Sequence, residues 1–181
     1  MPTPTATPRS PGRSSSDKRF REAILHVALR CDTDPTFGAT KLNKILHRAD
    51  FNSYGARGKA ITGQDYVRRQ YGPVPKALVP VRNRMIADKV LIVVPREYQG
   101  QPQQRPVALR APDLSVFEPE EVALLDGIIQ ELWGLTATEV SRRTHDAVWE
   151  AFADGETIPF RTVFFSNRPL SKRERAHAAS L

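Results

Sequence analysis

The stretch from Ala39 to Gly55, ATKLNKILHRADFNSYG, constrains the fold of this chain more than any other. Leu42, Ile45, Leu46 and Ala49 recur at helical spacing, Ser53 completes their line, and Gly55 is a stop signal. Phe51 and Tyr54 lie off that stripe, with His47 one turn before Phe51. A helix with two apolar stripes sits centrally and touches neighbours on both sides. The rest of the chain therefore has to supply two surfaces for it to pack against.

Helical periodicity supplies several candidates. Phe20, Ile24, Val27, Ala28 and Cys31 mark a first helix from Asp17, ended by Asp32, Asp34 and Pro35. Leu78, Val81, Met85 and Ile86 mark another, starting near Val79 because Pro80 interrupts the pattern and running to Asp88. Pro119 opens a helix to Trp133 with Val122, Leu125, Ile129 and Leu132 inward. Thr136 and Glu139 form a capping box that starts the next, which carries Val140; a further helix carries Val148, Trp149 and Phe152. Between these, Lys89–Pro95 and Arg105–Arg110 read as two strands of a hairpin around a polar tip at 98–104. Ile61–Gln70 alternates too weakly for a buried strand and reads as a short edge strand or extended loop. Gly72-Pro73-Val74-Pro75 is a sharp turn, and Thr162–Phe165 reads as a short strand or docking segment. The expected architecture is α+β and mostly helical, with five or six helices around a small antiparallel sheet.

Length sets the outer limits. A chain of 181 residues is long enough for one domain with a real core. Residues 1–16 are rich in Pro, Ser and Thr, lack acidic residues and an apolar core, and read as a disordered tail rather than a signal peptide. The domain is expected over 17–166, followed by a basic, flexible tail at 167–181. No run approaches a membrane span. The single cysteine, Cys31, continues an apolar stripe, which points to packing and to a reducing, cytoplasmic setting.

The net charge of +7 invites a nucleic-acid reading, but its location matters more. Residues 1–16 carry +2 and residues 161–181 carry +4, leaving only +1 on the body. Within the body, residues 41–84 hold ten Lys and Arg against Asp50 and Asp65. Residues 113–156 hold eleven Asp and Glu against Arg142 and Arg143. A basic half and an acidic half suit self-association or a charged protein partner at least as well as nucleic acid, which stays open.

Catalytic and metal readings find little support. Ser141, His145 and Trp149 share a helical face, but a serine on a helix interior poorly exposes its hydroxyl, and neither an orienting group nor an oxyanion site accompanies it. His26, His47, His145 and His177 are too scattered for metal-ligand spacing, and nothing implies a cofactor. Asp50 is more distinctive. It ends a lysine-rich helix, where the helix dipole disfavours a carboxylate unless something pairs with it. Arg68, Arg69 or backbone donors of the 58–63 turn are candidate partners, and direct contact with a binding partner is the alternative. Tyr54, Tyr66 and Tyr71, with Arg68 and Arg69, surround the turn at Gly72, Pro73 and Val74. Tyrosine and arginine are enriched at interface hot spots, so this edge and turn are the expected partner-binding surface, open to an added strand.

The order of these pieces carries a resemblance. Lys41-Leu42-x-Lys44-Ile45-Leu46 runs into Ala49-Asp50; a Gly58-Lys59-x-Ile61-Thr62-Gly63 turn follows, then a Tyr-containing strand ending in Gly72-Pro73-Val74. Ser141-x-x-Thr144-His145-x-x-x-Trp149 comes later. Over roughly 18–160 the set resembles the SocA-like, or Panacea, antitoxin domain, a phage-associated family. The resemblance marks Lys41, Leu42, Lys44, Ser141, His145 and Trp149 as motif residues. It implies a non-enzymatic antitoxin that binds and neutralises a toxin encoded beside it, without naming the toxin. One branch looks like a proteolytic adaptor that presents its toxin to a AAA+ protease. The rivals are a winged-helix-like DNA-binding repressor, with the 76–88 helix and the hairpin as reader and wing, and a hydrolase using His145.

Overall fold

A computed structural model of the protein describes residues 11–144 and 150–165. The first half holds α1 (Pro11–Arg30), α2 (Ala39–Arg57), β1 (Tyr66–Val67), β2 (Val74–Pro75) and α3 (Leu78–Ala87). The second holds β3 (Leu91–Tyr98), β4 (Gln101–Ala108), α4 (Pro119–Leu132), α5 (Ala137–Thr144) and β5 (Thr157–Ile158). Short 3-10 turns at Leu114–Val116 and Phe160–Phe164 complete it. The class is the expected one, α+β and mostly helical.

Both stripes of α2 are used. Leu42, Ile45, Leu46 and Ala49 join the main core with Phe20, Ile24 and Val27 of α1 and Leu125, Ile129 and Leu132 of α4. Phe51 instead joins Tyr66 and Ile158 in a smaller core, flanked by Phe152, Phe160 and Val163. Each large apolar side chain fully removed from water contributes about 1.5–3 kcal/mol, so a helix feeding two cores holds much of the fold. Gly55 is not the stop: α2 runs through it with the Val163 side chain against its face, and Gly58, at φ 70°, ends the helix in the left-handed conformation.

Other boundaries shift for physical reasons. α1 starts at Pro11 rather than Asp17, as an N-terminal proline allows because its missing N–H falls where no helical bond is made. The Ser16 hydroxyl donates to the Thr62 carbonyl at 2.9 Å and accepts from Gln64 at 2.9 Å, which ties this turn of α1 to the 58–63 turn. β1 is not an edge. It is the middle strand of an antiparallel sheet ordered β2-β1-β5, pairing Tyr66 with Pro75 on one side and with Ile158 on the other. Ile86, expected inward, is exposed, and 160–164 is a 3-10 turn rather than a strand.

The hairpin is longer than its apolar residues suggest. β3 and β4 pair from Leu91↔Ala108 to Tyr98↔Gln101 around Gln99 and Gly100, whose φ values of 51° and 74° suit a tight two-residue turn. Buried Arg105 fixes the hairpin to the body, donating to the carbonyls of Cys31, Asp32, Asp34 and Phe37. The helix-then-hairpin order of a winged helix is present, but the would-be wing is tied at Arg105 to the α1–α2 junction.

The basic and acidic halves meet inside one chain. Arg48 pairs with Glu131 at 2.7 Å, Arg69 with Asp154 at 2.9 Å, and Arg57 with Glu118. Such exposed pairs each contribute under about 1 kcal/mol, but they give the charge division an intramolecular use. No helix among the described residues is long and apolar enough to cross a membrane.

Candidate partner-binding surface

Three charged residues of α2 point into the protein, and each meets a different partner. Lys41 is 1% exposed; its ammonium donates to Asp34 and to the Thr36 hydroxyl, both at 2.6 Å. Burial works against the Asp34 carboxylate, but the bonds from Lys41 and Thr36 outweigh it and hold its pKa below the ordinary value. Lys44, one turn on, is equally buried, and burial pushes its ammonium down to about 8. Its Nζ lies against Gly72, which sits at φ 112°. Only a residue without a side chain fits there, so the Gly-Pro-Val turn closes over this lysine.

Asp50 is fully buried and accepts three hydrogen bonds. The Thr62 amide donates at 2.7 Å, the Tyr66 hydroxyl at 2.8 Å, and the Thr62 hydroxyl also donates. Burial nevertheless dominates and raises its pKa to about 6. Its partners are thus the 58–63 turn and Tyr66, not an arginine salt bridge. The Tyr66 ring, wholly buried, stands edge-on to Phe51 and His47 at 5.7 and 5.2 Å.

This arrangement divides the expected partner-binding residues. Asp50, Tyr66, Gly72 and Pro73 are interior and cannot meet a partner as the fold stands. Because β1 is covered by strands on both sides, no partner strand can be added to it. Arg69 and Tyr71 are exposed, Arg69 already paired with Asp154. Tyr54, Arg68 and Val74 are half-buried. Of the motif residues, Lys41, Leu42 and Lys44 are interior and Ser141 is half-buried on α5, while His145 and Trp149 lie outside the described residues. Cys31 is buried and its thiol is pushed up to about 12, as suits packing rather than nucleophilic chemistry. Among the described residues, no group of three or more His, Cys, Asp or Glu is placed to hold a metal ion.

Sequence reasoning passed over one surface. Phe160 stacks on Tyr54 at 5.3 Å, and Phe164 reaches the same tyrosine at 6.2 Å. Phe164 and Phe165 are 65% and 63% exposed. Beside them opens an apolar groove of about 400 Å³, lined by Tyr54, Lys59, Ile61 and Phe160. The available signal was the cluster of phenylalanines at 160, 164 and 165, of which Phe160 and Phe164 meet the same tyrosine.

Residues 42–150 match the family model described as the SocA-like antitoxin, Panacea domain. The chain matches no curated protein and no solved structure.

Proposed function

The chain belongs to the SocA-like antitoxin family with the Panacea domain, and on that footing we propose that it neutralises a cognate protein toxin by binding it directly. The observation that supports this reading is the inward placement of the family-like motif. Lys41, Lys44, Asp50, Thr62, Tyr66 and Gly72 are buried, and their contacts run to one another or to neighbouring turns. A motif spent on holding the fold performs no chemistry at a surface. It leaves the outer face free to differ between members that meet different toxins, which is the logic of a binding scaffold rather than an enzyme.

The direct test is co-expression. The gene beside this one is induced alone and together with the chain, in a host with its AAA+ proteases intact and in one lacking them. Growth arrest relieved in both hosts supports neutralisation by binding. Relief only in the intact host supports an adaptor that promotes degradation. Arrest unrelieved in both contradicts the antitoxin reading.

A further inference from the structure

We infer that the aromatic groove formed by Tyr54 and Phe160, with Phe164 against Tyr54 and exposed Phe165 next in the chain, takes an acidic segment of the protein partner that carries a bulky apolar side chain. This rests on the antitoxin reading and names the surface and the chemistry of what it binds.

Scattered apolar residues on a surface need no explanation, but these are connected. Phe51 in the smaller core touches Phe160 at 4.8 Å, Phe160 stacks on Tyr54, and Tyr54 meets Phe164. The row runs from the interior to solvent, so its outer rings are backed by fixed neighbours. Rigid aromatic rings lose little freedom on binding and bring large contact area, the properties of interface anchors. The adjoining groove of about 400 Å³ is open and has room for a large side chain.

Charge selects the occupant. Around Tyr71 the exposed cation Arg69 is already satisfied by Asp154, and along α2 Arg48 and Arg57 are satisfied by Glu131 and Glu118. Lys59, in the groove wall, and Arg161, next to Phe160, are exposed and form no ion pair with any described residue. Lys59 in the groove wall, with Arg161 one residue along the chain from the groove-lining Phe160, favours a carboxylate-bearing apolar segment over a basic or neutral one.

The test uses the full chain and the toxin encoded beside it, with two double variants, Phe164→Ser/Phe165→Ser and Lys59→Glu/Arg161→Glu. Rescue of growth by the unaltered chain is read first, because its failure removes the antitoxin reading and this inference together. Given rescue, each folded double variant should lose it and bind the purified toxin at least about tenfold more weakly. Melting curves report folding; if the serine pair unfolds, the charge pair decides alone. Reversal of an acidic residue in the toxin should restore binding to Lys59→Glu/Arg161→Glu. Full rescue by a folded charge variant would overturn the groove and leave the antitoxin reading intact. So would sedimentation showing a wild-type dimer that the variants split while still rescuing, since the groove would then serve a second copy of the chain.

Discussion

The ammonium of Lys44 lies so close to Gly72 that a β-carbon built on the glycine would stand 1.9 Å from Nζ. The helix motif and the Gly-Pro-Val turn, separated in sequence by the 58–63 turn and β1, are therefore two halves of one contact. Gly72 is required twice there, once by the space the lysine occupies and once by its φ of 112°.

Gly72→Ala should therefore destabilise the protein strongly. The backbone conformation alone costs about 1–3 kcal/mol for a residue with a side chain, and displacing a buried ammonium adds to it. Urea denaturation of the variant measures the sum. A midpoint equal to that of the wild type would show that the turn does not close over Lys44.

Lys41 and Asp34 form a buried pair, each 1% exposed. Removing one partner strands a charge, so Lys41→Ala or Asp34→Ala should each cost about 3–5 kcal/mol, whereas replacing both with apolar residues of similar volume should cost much less than the sum. A double-mutant cycle read by chemical denaturation gives the coupling. Strict additivity would contradict the pairing.

Asp50 should titrate near pH 6 in the folded protein, against an ordinary value of 3.8. Between those values the folded state holds a proton that the unfolded chain has released. Its contribution to stability is therefore complete below about pH 3.8 and is lost as pH rises through 6, by roughly 3 kcal/mol in all. Asp34 and Glu121, whose values are lowered, act with the opposite sign at lower pH, so the difference between wild type and Asp50→Asn is the quantity to follow. That difference should move in favour of the variant from pH 4 to pH 6.5. A carboxyl carbon resonance of Asp50 titrating at or below pH 4 would refute it.

Periodicity made the helices legible before any coordinates. The two stripes of α2, the inner face of α4 and the Thr136–Glu139 box all have the helical repeat, and each is found. The sheet was hidden because β1, β2 and β5 are two residues each, too short for alternation to register. The far half of the hairpin was hidden for a different reason: Gln101 to Gln104 are held by backbone pairing, which leaves no apolar trace. Tyr66 was read on the surface because it is polar at its tip, while the tie of Asp50 to the 58–63 turn was among the partners read for it. Their mutual hydrogen bond, beside those from Thr62 to Asp50, satisfies both buried groups, and a pairing across that distance in the chain is not visible in local pattern. The groove escaped because its rings come from α2 and from a 3-10 turn far along the chain.

The measurement that bears most directly on the account is calorimetric titration of the purified chain with the purified toxin encoded beside it, with no protease present. Direct neutralisation requires a saturable complex at fixed stoichiometry, formed by the wild type and weakened by Lys59→Glu/Arg161→Glu. Absence of any complex between the two folded wild-type proteins would contradict the central claim.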